Sequence, residues 1–249
     1  MKFYKALDSI KLKKYSEVDK NQFALTFYSK SGFKSSKLFD KELKKKVSNF
    51  FADEKRSSLF LSKELTGLKG DFLVLRDFNK NKSEYKKYAW MKGLFANLDK
   101  YAVENAVIYA DTSHLSKDDN FLFDLAKTAE KASYRYTDTN PNTKKELILK
   151  NVSLAVESAS AAQKKVVELG YNVGSGANTA RNLGDRPANH ATPAYIANAV
   201  KGLAKDIGGF SVEILEEKDM KKLGMGCLLS VSRGSIEPAK LVTMQYKGG

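Results

Sequence analysis

Ala180-Arg-Asn-Leu-Gly-Asp-Arg-Pro-Ala-Asn-His-Ala-Thr-Pro193 is the stretch that decides how this chain is read. Its last two residues mark a helix start. A threonine hydroxyl can accept a first-turn N–H, and a proline at the first helical position gives up only a donor that has no partner there. Ile196, Ala199, Val200, Leu203 and Ile207 then recur at helical spacing, and Gly208-Gly209 closes the run. Phe210, Val212 and Ile214 alternate as a strand, Lys218 to Leu223 predicts a short helix, and Leu241 to Tyr246 a final strand. Upstream, Ser158 to Asn182 reads as one long helix with Val166, Val173, Ala177 and Ala180 on one face. Gly170, Gly174 and Gly176 weaken it by about 1 kcal/mol each against alanine, which points to close packing.

Working back toward the start, Phe23–Tyr28 alternates like a half-buried strand, while Leu59–Leu61, Phe72–Leu75 and Ala106–Ala110 are apolar runs suited to strands covered on both faces. Leu147 to Val156 reads as another strand. Phe39, Leu43, Val47 and Phe50 predict a helix between the first two strands. Tyr88, Met91, Phe95, Leu98 and Ala102 predict a second, with Asn81 and Glu84 as a capping pair. Leu122, Leu125, Ala126 and Ala129 predict a third, with Asp118 and Asp119 at its positive end, and Tyr136 to Lys145 reads as a loop. Alternating strands and helices imply an α/β fold with a largely parallel sheet.

The composition fits a folded protein: 42% hydrophobic and 11% aromatic over 249 residues. No apolar run approaches the roughly 18 residues that would cross a bilayer, and charges interrupt the first residues where a secretory signal needs an apolar core. With one cysteine, no intramolecular disulfide can form, which fits a reducing compartment. A cytoplasmic protein with no membrane partner is expected. Most of the net charge of +14 falls in the first 150 residues, carried chiefly by lysine. Such a surface is either simply solvated or binds nucleic acid weakly, since arginine is the usual reader of phosphates and base edges.

Few residues suggest chemistry. His114, with Ser113 and Asp111 beside it, and Asp118 and Asp119 after it, reads as a solvated loop, because catalytic triads converge in space rather than in one loop. His190 reads as a capping or packing residue and Cys227 as a small core residue. Glu213, Glu216, Glu217 and Asp219 cluster around a strand–helix junction and read as solvated. Gly174-Ser-Gly176 lacks the strand that a phosphate-binding loop needs in front of it, and no zinc or calcium spacing is present.

Taken in order and spacing, Ala180–Pro193, then Leu223-Gly-Met-Gly-Cys-Leu-Leu-Ser-Val-Ser-Arg-Gly-Ser235, then Leu241-Val-Thr-Met-Gln-Tyr-Lys-Gly-Gly249 resemble the entrance to the catalytic domain of the leucyl (cytosol) aminopeptidases. Asp185-Arg-Pro-Ala-Asn189 departs slightly from that family, which usually has asparagine at the first position. The resemblance implies a macro-domain-like α/β N-terminal domain over 1–155, a linker helix over 156–182, and the start of an incomplete α/β catalytic scaffold over 183–249. No ADP-ribose-binding residue is evident in the first domain. The resemblance also implies a parent enzyme that removes N-terminal residues from peptides using two divalent ions, zinc or manganese, and that assembles as a hexamer. The family's metal-binding lysine, aspartates and glutamate follow the segment matching Tyr246–Gly249. The expectation is therefore a truncated or fragmentary chain with no catalytic, cofactor-binding or metal-binding residue of its own, inactive alone. The rival is a non-enzymatic module whose basic first domain binds nucleic acid, as some family members do.

Overall fold

The computed structural model describes residues 4–18, 22–28, 40–53, 55, 58–62, 70–76, 83–110, 118–139 and 148–248. Phe39, Asn81, Leu147 and the loop holding Asp111, Ser113 and His114 lie outside them. The chain forms two compact units: Lys5–Arg135 with Lys145–Asn178, and Met1–Tyr4 with Tyr136–Lys144 and Thr179–Gly249.

The larger unit is built on β1 (Ser9–Lys14), β2 (Phe23–Tyr28), β3 (Ser58–Leu61), β4 (Phe72–Arg76), β5 (Asn105–Tyr109) and β6 (Asn151–Val156), in the order β1-β6-β5-β2-β4-β3. Every neighbouring pair is parallel except β3 with β4. The apolar runs in the sequence follow from this layout, because both sheet faces are covered. Leu73, Ala106, Ile108 and Leu154 point into one core, with Met91, Leu94, Phe95 and Leu98 of α2 (Glu84–Lys100) and Leu122 and Leu125 of α3 (Asp119–Ala132). Val74, Val107, Tyr109 and Ala155 point the other way, onto Leu43, Val47 and Phe50 of α1 (Lys41–Ala52).

Local chemistry sets the helix ends. Asp40 accepts the Leu43 N–H at 2.8 Å and Asp118 the Phe121 N–H at 3.1 Å. The N-cap of α2 is Ser83, and its far end is shorter than the spacing predicts. Ala102, placed on the buried stripe by sequence, instead takes φ 52° in a turn where Val103 donates to the Leu98 carbonyl and Ala102 to that of Asp99. That is a Schellman stop with alanine where glycine is usual, so no glycine announces it. β6 begins at Asn151, later than Leu147. β1 was not anticipated at all. Its Ile10 and Leu12 are buried between exposed or half-exposed lysines.

The long helix α4 (Ala161–Gly184) buries a face other than that of Val166, Val173, Ala177 and Ala180. Val173 and Ala180 are exposed, while Val167, Gly170, Tyr171, Gly174, Ser175, Asn178, Thr179 and Asn182 are buried. Close packing is the reason. A Cβ on Gly174 would meet the Lys127 carbonyl oxygen at 2.9 Å, and one on Gly170 would collide with the Phe123 carbonyl. Gly176 faces open space.

The smaller unit contains α5 (Pro193–Asp206), β7 (Phe210–Glu216), α6 (Glu217–Lys222), α7 (Gly226–Ser232) and β8 (Lys240–Tyr246). Thr192 caps α5 by accepting the Tyr195 N–H at 3.2 Å, with Pro193 in its first turn. Gly209, at φ 73°, lets the chain turn into β7. β7 and β8 pair antiparallel, from Phe210 opposite Tyr246 to Glu216 opposite Lys240. The helix α7 begins at Gly226 and lies between Gly224 and Gly234, and these glycines conceal it in the sequence. It has no buried residue, and Cys227 on it is exposed rather than part of a core.

Candidate functional site

The segment that decided the sequence reading forms a tight turn. His190 and Ala191 both donate backbone N–H groups to the Pro187 carbonyl, at 2.8 and 2.9 Å, and the His190 side chain is exposed. Arg186 is the fixed point of the turn. Its guanidinium lies 4.7 Å from the centre of the Tyr195 ring and forms a salt bridge with Asp138. Its Nε is buried without a hydrogen-bond partner among the described residues. A flat cation on an aromatic face is a stable arrangement. It ties residues 136–139 to the start of α5 within the smaller unit.

The carboxylates around the β7–α6 junction are structural rather than merely solvated. Asp219 accepts the Glu216 N–H at 3.1 Å, Glu217 accepts the Ala239 N–H at 3.0 Å, and Glu216 pairs with Lys240. The first of these completes a capping box that starts α6. Glu213 is exposed on the strand. Among the described residues, no three His, Cys, Asp or Glu side chains converge on a point where they could hold a metal ion. The described residues therefore do not bring together the several carboxylates that a two-ion centre needs at a shared point.

The larger unit holds a buried polar constellation that the sequence reading missed. Glu130 of α3 is fully buried and accepts the Ala6 and Leu7 N–H groups at 2.6 and 2.9 Å. The Asn178 amide of α4 donates to the Glu130 carbonyl at 2.8 Å, and the Tyr171 hydroxyl donates to the Leu7 carbonyl at 2.7 Å. Burial pushes the Glu130 carboxyl above the ordinary range, although its N–H donors and Lys5 pull the other way. The Tyr171 phenol is pushed up to about 12, by burial first and then by the charges of Glu130 and Asp8. Because the Glu130 carboxylate and the Tyr171 hydroxyl hold the backbone of Ala6 and Leu7, and Asn178 holds Glu130, this constellation is an anchor for the N-terminal segment. The only hint in the sequence was a glutamate, an asparagine and a tyrosine at positions where helices turn inward.

Comparison with known proteins adds to this geometry. The profile of the cytosol aminopeptidase family, catalytic domain, matches residues 178–249. A probable cytosol aminopeptidase of Nitrosococcus oceani is 40% identical over 127 residues, covering 50% of this chain and 25% of that protein. One from Aromatoleum aromaticum is 31% identical over 206 residues, covering 79% of this chain and 41% of its own length. The chain thus spans less than half the length of these curated relatives. A solved tomato leucine aminopeptidase mutant superimposes with a TM-score of 0.74 over 96% of this chain and 50% of its own, at 17% identity. The bottromycin maturation enzyme BotP, solved in complex with Mn, gives 0.63 over 91% of this chain and 45% of its own, also at 17% identity. At that identity the structures speak for the fold, while the profile and the curated relatives speak for descent: the chain belongs to the cytosol, or leucyl, aminopeptidase family.

Proposed function

We propose that this chain is the N-terminal portion of an aminopeptidase, and that the whole enzyme removes N-terminal residues from peptides with the help of two divalent ions, zinc or manganese. The observation that carries the proposal is the match of residues 178–249 to the catalytic-domain profile. In this reading residues 1–155 are the non-catalytic domain, 156–182 the connecting helix, and 183–249 the first strands and helices of the catalytic scaffold. Their role is to fold, to support assembly into a homo-oligomer (a hexamer, by family), and to frame access to the site. No helix among the described residues is long and apolar enough to cross a membrane.

The same reading makes the chain inactive by itself. Three of the carboxylates that might have served a metal already hold the β7–α6 junction and its return strand. The test is hydrolysis of a leucine anilide by the purified chain with added manganese or zinc. No turnover is expected, and the catalytic half of a curated relative added in trans should restore it. Turnover that tracks this chain through purification and disappears with a chelator would overturn the proposal.

A further inference from the structure

The larger unit has an opening unrelated to the segment that matches the catalytic-domain profile. A groove of about 570 Å³ runs beside β1, with consecutive residues from Ser9 to Lys13 along one wall and Lys164, Glu168, Tyr171 and Asn172 of α4 along the other. Those helical positions are spaced by 4, 3 and 1, so they form a single face of α4. β1 is the end strand of its sheet and pairs only with β6 among the described residues. In a parallel ladder half of an end strand's N–H and C=O groups point outward, ready to pair with another chain. An open strand edge facing a helix is the geometry in which an extended peptide binds by adding a strand.

The side chains say what kind of peptide fits. Ile10 and Leu12 are buried in the same core cluster as Val167 and Tyr171 of α4, on one face of β1. Lys11 and Lys13 project from the opposite face and are at least partly exposed. An added strand would therefore meet the polar α4 wall of Lys164, Glu168 and Asn172, with the rim of Tyr171, on one side, and two ammonium groups, two residues apart, on the other. Pairing of β1 with a second β1 would set lysines against lysines, which disfavours a second copy as occupant. Lys5 adds a cation at the mouth, 5.7 Å from the Tyr171 ring. Four lysines (Lys5, Lys11, Lys13 and Lys164) line the groove against three carboxylates, Asp8, Glu17 and Glu168, of which Glu17 already accepts the Lys14 N–H at 3.0 Å.

We propose that this groove binds an extended segment of a partner protein that adds to the open edge of β1, with acidic side chains on the face that meets Lys11 and Lys13. This does not depend on the aminopeptidase reading, because every residue involved lies in the larger unit.

The experiment is fluorescence anisotropy of a labelled Glu-Val-Glu-Val-Glu-Val peptide titrated with the full chain. Saturable binding is expected, with a Lys-Val-Lys-Val-Lys-Val peptide at least about tenfold weaker. The double substitution Lys11→Glu with Lys13→Glu should invert that preference, and unchanged circular dichroism and Trp90 fluorescence would show that the variant is folded. N-methylation of alternate peptide amides should abolish binding, because it removes the donors of an added strand while leaving the charges. Binding that survives N-methylation, or that an oligonucleotide of equal charge displaces equally well, would mean attraction of any polyanion to a basic surface and would overturn the proposal. So would the absence of binding at millimolar chain.

Discussion

A Cβ placed on Gly174 would stand 2.9 Å from the carbonyl oxygen of Lys127, so α4 rests there on the backbone of α3. Gly174→Ala should therefore cost about 1–3 kcal/mol through overpacking, despite the better helix propensity of alanine. Gly176→Ala, two residues away in open space, should instead stabilise by up to about 1 kcal/mol. Urea unfolding followed by the fluorescence of Trp90, the chain's one tryptophan, reads both. Equal effects of the two substitutions would show that the helices are not in backbone contact.

Glu130 gives a pH signature of unusual sign. Burial holds its folded-state pKa above the ordinary glutamate value, so the folded chain binds the proton more tightly than the unfolded chain. The resulting stability is fully present below the ordinary glutamate range and is lost as pH rises through the folded value. Glu130→Gln should flatten that slope. Glu130→Ala, which strands the donors of Ala6 and Leu7, should cost on the order of 3 kcal/mol.

Asp124 should behave in the opposite way. Burial pushes its carboxyl up, but hydrogen bonds from Lys127 and Lys87 outweigh this and hold it below the ordinary range. Its contribution is present above the unfolded value and lost as pH falls through the folded one. Asp124→Asn should therefore flatten the acid limb of a Trp90 unfolding series, leaving the slope due to Glu130 in place.

Limited proteolysis should remove the smaller unit first. Leu223, Val231, Ile236, Met244 and Tyr246 are all exposed there, and Ile236 is 100% accessible. Little apolar burial opposes local opening in such a region. The surviving fragment should end near Asn178, because Val167, Tyr171 and Asn178 belong to the buried interior of the larger unit. Mass spectrometry of the fragments checks this, and uniform protection of residues 179–249 in a monomer would contradict it.

Binding to nucleic acid should be weak and indifferent to sequence. The excess charge is carried by scattered lysines, so affinity should fall linearly in log–log form as salt rises. A filter-binding titration against one duplex and its scrambled counterpart is decisive. Nanomolar, sequence-selective binding at physiological salt would favour a nucleic-acid module.

How legible all this was in the sequence depends on what the residues face. Val107 and Ile108 are adjacent and both buried, on opposite faces, so β5 announced itself as an apolar run. Asp118 and Thr192 stood before their helices and cap them. β1 escaped notice because its lysines mask the alternation of Ile10 and Leu12. α4 was found, but not its buried face, since beside Val167 and Tyr171 that face is made of glycine and polar residues that hydropathy places outside. The role of Glu130 could not be read either, because its partners are the backbone groups of Ala6 and Leu7, more than a hundred residues away.

That polar face of α4 has a consequence for how the helix can vary. An oily helix can slip by a turn against an oily neighbour and lose little. Here a slip of one turn, about 5.4 Å, would carry the Tyr171 hydroxyl off the Leu7 carbonyl and Asn178 off Glu130, and would drive side chains into the space that Gly174 leaves open. The contact works like a key in a lock. It admits one alignment, and drift in the sequence can trim or replace the key's teeth only singly.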